Sequence, residues 1–97
     1  MDAKNKKFLR SLLQKSRVGS SRVELRELAE DLVSETQFIN LLPKFESNFD
    51  FNSRDIIFEL IPMWISFKGK EATLNNFEKI LRDHDLNDEA GECTKSV

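Results

Sequence analysis

The sequence predicts an all-α fold, an antiparallel bundle of six helices. Apolar residues recur at helical spacing along most of the chain, and residues that cap helix starts recur between these segments. With 97 residues the chain has the length of one domain, and its three glycines and 33% charged residues suit helices with solvated faces. We expect a single domain over residues 1–97, with an ordered core over about 4–92 and a tail over 93–97.

The first predicted helix runs from about Lys4 to Ser16. Val18-Gly19-Ser20 is expected to end it, since glycine readily leaves helical geometry. The apolar stripe of this helix consists of Phe8, Leu9, Leu12 and Leu13.

The second helix is predicted to start at a capping box. Ser21 stands three residues before Glu24, a spacing at which each side chain can satisfy a free backbone N–H of the helix start. The apolar positions that follow keep helical spacing, and they are Leu25, Leu28, Ala29, Leu32 and Val33.

A second capping box, Ser34 with Gln37, predicts a short third helix that ends near Pro43. Val33 and Phe38 are placed to form the hydrophobic staple of this start. Residues 44–51 lack a clean period, and we expect them to form a connection held to the core by three aromatic side chains. These are Phe45, Phe49 and Phe51.

Asn52 is expected to cap the fourth helix, with Phe51 and Ile56 as its staple pair, and Pro62 is expected to kink it. A fifth helix is predicted over about Thr73 to Asp83, and a sixth from Asn87 as cap, fraying after Glu92. The predicted core comprises Trp64, Leu28, Leu32, Ile57, Leu60, Ile61, Phe77 and Leu81.

The stretch from Ile56 to Ala90 carries a resemblance to a known family. A buried-type helix with a lone tryptophan turns through Lys68-Gly69-Lys70 into a second amphipathic helix and then a short last one. This order resembles the C-terminal half of a death domain, a protein-interaction module without catalytic activity. The positions that carry the likeness are Ile57, Leu60, Ile61, Trp64, Gly69, Ala72, Thr73, Leu74, Phe77, Leu81, Leu86 and Ala90.

The resemblance covers mainly residues 22–92 and implies a Greek-key order of the six helices. The sequence departs from the family at Pro62 and in having no tryptophan after the second helix. A caspase-recruitment or death-effector relative of the same superfamily therefore stays open, although the Arg-x-Asp-Leu-Leu motif of death-effector domains is absent.

Charge is distributed unevenly along the chain. Residues 1–22 hold seven basic residues and one acidic residue, a net charge of +6, so the chain total of −2 leaves −8 for the remainder. Opposite charges on one molecule steer and orient encounters with similar molecules. The resemblance implies a basic interaction set on the first and fourth helices, Lys7, Arg10, Lys15, Arg17 and Arg54. It implies a matching acidic set around the second and third helices, Glu24, Glu27, Glu30, Asp31 and Glu35.

The sequence offers little material for catalysis or metal binding. His84 stands between two aspartates without a nucleophile or second ligand in reach along the chain, and we interpret it as a solvated side chain. Cys93 is the single cysteine and is interpreted as an incidental thiol. We expect no catalytic residue, no metal, no cofactor and no small-molecule substrate, and thus a protein that is not an enzyme.

These patterns lead to one functional hypothesis and one alternative. The hypothesis is a cytoplasmic adaptor module of signalling assembly, of apoptotic or innate-immune type, that pairs with another death-fold domain and can form homo-oligomers. The alternative is a basic N-terminal helix that binds nucleic acid or a membrane surface. Against it, the sequence pI is near 5.4, whereas nucleic-acid-binding domains usually exceed about 9.

Overall fold

In the computed structural model, most of the helices begin at local sequence signals. The structure describes residues 1–46 and 53–95. Its six α-helices are α1 Ala3–Lys15, α2 Arg22–Leu32, α3 Glu35–Glu46, α4 Ser53–Lys68, α5 Leu74–Asp83 and α6 Asn87–Lys95. Two short 3₁₀ turns, Arg17–Gly19 and Gly69–Glu71, follow α1 and α4. The described residues contain no strand, so the all-α prediction is confirmed.

Helix α1 begins at a cap that we did not predict. The Asp2 carboxylate accepts a hydrogen bond from the Asn5 N–H at 2.8 Å, which satisfies one of the free donors of the helix start. Gly19 ends the following 3₁₀ turn in contact with α1. A Cβ atom at Gly19 would lie 2.3 Å from the Gln14 carbonyl oxygen, so only glycine fits at this position.

The two predicted capping boxes mark the starts of α2 and α3, but the first is only half formed, since the Glu24 carboxylate pairs with Arg17. The Glu24 N–H donates to Ser21 Oγ at 3.4 Å at the start of α2. At the start of α3 the box is complete: the Gln37 N–H donates to Ser34 Oγ at 3.3 Å, and the Ser34 N–H donates to Gln37 Oε1 at 3.1 Å. The sharp bend between α2 and α3 therefore follows directly from the local sequence.

Helix α3 continues beyond the predicted end near Pro43. Pro43 is exposed inside the helix, which runs to Glu46 although proline cannot donate a backbone hydrogen bond. The last turn is held by tertiary contacts, because Phe45 is buried and Lys44 forms an ion pair with Glu59 of α4. The structure thus has a helical turn where the sequence predicted a connection held by Phe45. Phe49, Phe51 and the Asn52 cap lie outside the described residues.

The core forms one cluster to which all six helices contribute. Trp64 and Phe77 are fully buried and meet edge to face, with ring centroids 4.9 Å apart. All eight predicted core residues are buried, including Leu28 and Leu32 of α2 and Ile57, Leu60 and Ile61 of α4. The radius of gyration, 12.4 Å, is close to the value of about 12.5 Å typical of folded chains of this length.

The C-terminal helices differ from prediction at two positions. Asn87 is the first helical residue of α6 rather than its cap, since the Leu86 carbonyl accepts the first helical bond from Ala90 N–H. Helix α6 also extends to Lys95, beyond the expected fraying at Glu92. Cys93 explains the extension, because its side chain is buried in the core.

Candidate functional site

Three of the predicted basic residues lie on α1 and α4, two helices that pack against each other. Lys7 and Arg10 are one helical turn apart on α1, and Arg54 lies at the start of α4. Phe58, one turn after Arg54, connects the two helices: the Arg10 guanidinium carbon lies 4.9 Å from the centre of the Phe58 ring. We call Lys7, Arg10, Arg54 and Phe58 the basic face.

Phe58 was not predicted from the sequence. Its side chain is 51% exposed, although the neighbouring apolar residues of α4 are fully buried. The sequence signal that could have identified it is its position. Phe58 lies four residues after Arg54 and does not belong to the periodic core positions, which are Ile57, Leu60, Ile61 and Trp64. An exposed aromatic ring beside arginines is typical of the residues that dominate protein interfaces.

Arg17 does not belong to the basic face, because its charge is used within the molecule. Its Nε lies 3.2 Å from Glu24 Oε1, and its Nη2 donates to the His84 carbonyl at 2.8 Å. A longer bond of 3.5 Å runs from Nη1 to the Asp85 carbonyl. Arg17 therefore ties the turn after α1 to α2 and to the connection between α5 and α6.

Lys15 also lies apart from Arg10 and Arg54. It lines a groove between α1 and α6 together with Phe8, Ser11 and Leu12. Of the five predicted basic residues, Arg10 lies at the contact with Phe58, and Lys7 and Arg54 are each one helical turn from that contact along α1 and α4. Arg17 and Lys15 lie elsewhere.

The predicted acidic residues divide in the same way. Glu24 is paired with Arg17, and Asp31 Oδ2 lies 2.6 Å from His84 Nε2. Glu27, Glu30 and Glu35 are exposed, and no ion pair joins them to another side chain of the described residues. We call Glu27, Glu30 and Glu35 the acidic face.

Exposed apolar residues accompany the acidic face, as Phe58 accompanies the basic face, and Val23 is the most exposed of them. Val23 is 70% exposed and lies one helical turn before Glu27, on the outer side of α2. Arg26 is exposed on the same helix, so the outer side of α2 is acidic without being uniformly so. Each face therefore combines unpaired charge with apolar surface that a partner could bury.

His84 is not the solvated side chain that the sequence predicted. Only 19% of its side chain is exposed, and His84 Nε2 lies within hydrogen-bond distance of Asp31 Oδ2. The partner is 53 residues away along the chain, which explains why the local sequence gave no sign of it.

The described residues hold no group of three or more side chains suited to a metal ion. Burial raises the pKa of the Cys93 thiol to about 11, with the carboxylates of Glu78 and Glu92 adding to the effect. A thiol of this kind is a poor nucleophile, since the thiolate is the reactive form. In residues 1–46 and 53–95, no helix has the length and apolar character needed to cross a membrane.

Comparison of the chain with family models, with curated proteins and with solved structures gave no match. The resemblance to death domains therefore rests on the residues of the chain itself.

Proposed function

We propose that this protein is a protein-interaction module that pairs with another domain of the death fold, either a second copy of itself or a relative. Its six helices would then follow the Greek-key order of that fold. The module would act in the cytoplasm as an adaptor in signalling assembly of the apoptotic or innate-immune type.

The observation that carries the proposal is the pair of faces. Arg10 lies against the half-exposed Phe58, and Lys7 and Arg54 are one helical turn from Arg10 and Phe58 respectively. No ion pair joins these three cations to a carboxylate of the described residues. Glu27 and Glu30 are exposed and equally unpaired within the described residues. Because the charges of these residues are opposite, the basic face of one module can meet the acidic face of the next.

The presence of both faces on one molecule has a geometric consequence. A contact between two different faces is heterologous, so it can continue from module to module into chains or closed rings. Each exposed charge pair contributes only about 0.2–1 kcal/mol, so affinity needs several pairs and the burial of Phe58. The complex should therefore weaken as salt is added.

Charge reversal tests this proposal. We expect Glu27→Lys with Glu30→Lys, and separately Arg10→Glu with Arg54→Glu, each to remove pairing in a pull-down with a tagged second copy that carries the same change. A different death-fold partner should be lost on reversal of the face that it contacts. The matched controls, Lys79→Glu and Asp83→Lys, change exposed charges of α5 outside both faces and should leave pairing intact.

The same experiment separates the proposal from nucleic-acid or membrane binding. A basic helix that binds phosphate needs the cations and is repelled by nearby carboxylates, so reversal of Glu27 and Glu30 would then preserve or strengthen binding. If acidic-face reversal changes no protein complex that the module forms, the proposed pairing is wrong.

A further inference from the structure

The groove between α1 and α6 is a second surface with the features of a docking site. Helix α1 packs mainly on α4, and α6 mainly on α5, which leaves a cavity of about 320 Å³ between α1 and α6. Phe8 and Leu12 form its floor, and both are half-buried and packed against the core. Their spacing of four residues places them on one side of α1, so the groove follows the direction of the helix.

Charge is concentrated on one rim of this groove. Asp88, Glu89 and Glu92 of α6 line it, with Lys15 as the basic residue of the opposite rim. Glu92 is already engaged by Lys95 at 3.5 Å, whereas Asp88 and Glu89 have no ion pair within the described residues. The carboxylates of Asp88 and Glu89 are therefore available to a basic partner.

The floor gives little to orient a small polar molecule. The described residues contain one buried side-chain polar atom without a hydrogen-bond partner, Trp64 Nε1, and Trp64 does not line this groove. An apolar floor with a charged rim instead suits the apolar side of an amphipathic helix that lies in a groove.

We propose that the groove between α1 and α6 binds a basic amphipathic helix of a partner protein. Apolar side chains of that helix would cover Phe8 and Leu12, and Lys or Arg residues along one edge would meet Asp88 and Glu89. This surface is separate from the two faces of the proposed pairing, because none of the residues changed in the pairing test lines it. Those residues are Arg10, Arg54, Glu27 and Glu30. The module could thus hold a helical partner while it pairs with a like domain.

A synthetic helical peptide with a leucine stripe and lysine at the other positions serves as the probe, and a second peptide with glutamate in place of lysine tests the charge requirement. We expect the lysine peptide to bind and to shift backbone amide resonances of α1 and α6, and the glutamate peptide not to bind. Resonance shifts centred on Glu27 and Glu30 would overturn the proposal, since the cationic peptide would then bind the acidic face and not the groove.

Two matched pairs of variants localise the binding. Ser11→Arg places a long cationic side chain in the groove and should abolish binding, whereas Ser66→Arg makes the same change at an exposed position of α4 and should not. Asp88→Asn with Glu89→Gln should weaken binding about 2- to 30-fold, the effect of losing two exposed charge contacts, while Glu27→Gln with Glu30→Gln should have no such effect.

The neutralised Asp88 and Glu89 variant keeps the shape of both side chains, so it decides the question even if Ser11→Arg fails to fold. Equal affinity of this variant and the unchanged protein would overturn the proposal. So would self-association of the module that Ser11→Arg abolishes, because that result would assign the groove to a second copy of the chain.

Discussion

The imidazole of His84 and the carboxylate of Asp31 join two distant parts of the chain, with 2.6 Å between Nε2 and Oδ2. Asp31 belongs to α2, and His84 caps the C-terminal end of α5. The contact closes the same corner that Arg17 ties together through the carbonyl oxygens of His84 and Asp85. Asp31 is thereby bound within the molecule and taken out of the acidic face.

This contact should be measurable in a double-mutant cycle. We expect His84→Ala and Asp31→Ala to be coupled in the free energy of unfolding by about 0.5–1 kcal/mol, the lower range for a hydrogen bond because Asp31 is largely exposed. Asp83→Ala, a neighbour of His84 with an exposed side chain, serves as control and should show no coupling to Asp31. Additive effects of His84→Ala and Asp31→Ala would show that the contact does not form in solution.

Asp85 occupies a backbone conformation that favours glycine. Its φ is 60°, and the backbone bonds around it, Leu86 N–H to Leu81 O at 2.8 Å and Asp85 N–H to Arg82 O at 3.1 Å, form a Schellman ending of α5. We expect Asp85→Gly to stabilise the fold by about 0.5–1 kcal/mol in urea unfolding, since the left-handed conformation costs a side chain more than glycine. Asp83→Gly, inside the last turn of α5, should instead destabilise it. Loss of stability in both variants would contradict the Schellman ending of α5.

Trp64 tests the core. It is fully buried against Phe77, so Trp64→Ala should lower the free energy of unfolding by about 3–5 kcal/mol. As the single tryptophan, it should also emit at short wavelength and resist quenching by iodide. Phe67→Ala removes an exposed aromatic ring of the same helix and should change stability by less than about 0.5 kcal/mol. Equal losses in the two variants would be incompatible with a core centred on Trp64.

Cys93 reports on the end of α6. Its thiol has a pKa of about 11 in the fold against an ordinary value of 9.0, so the unfolded chain loses the proton first as pH rises. The contribution of Cys93 to stability is therefore intact below about pH 9 and is lost between pH 9 and 11. Between pH 9 and 11 we expect the free energy of unfolding to fall less for Cys93→Ala than for the unchanged protein.

Alkylation of Cys93 gives an independent measurement of the same feature. Iodoacetamide should react slowly with the folded protein and rapidly in urea, because the thiolate is the nucleophile and the folded thiol is protonated and buried. Equally fast alkylation in both states would mean that α6 frays after Glu92, as the sequence alone predicted.

Predictions from the sequence were accurate where the cause is local. The Ser34 and Gln37 capping box involves residues three positions apart, and its hydrogen bonds form as the pattern requires. The end of α3 was wrong because burial of Phe45 and the ion pair of Lys44 with Glu59 outweigh the local effect of Pro43. Long-range contacts also decided the candidate site: Arg17 and Asp31 look like free surface charges in sequence, and only the fold brings them to Glu24 and His84.

The central claim, that the basic face of one module meets the acidic face of another, is tested most directly by mixing two reversed proteins. The Arg10→Glu, Arg54→Glu variant keeps only the acidic face, and the Glu27→Lys, Glu30→Lys variant keeps only the basic face. In sedimentation at high protein concentration and low salt, we expect the unchanged protein to form oligomers and each variant alone to remain monomeric. The equimolar mixture should assemble again, because the intact acidic face of one variant meets the intact basic face of the other, and the two reversed faces are also opposite in charge. A mixture that stays monomeric, or a variant that assembles like the unchanged protein, would contradict the pairing of these two faces.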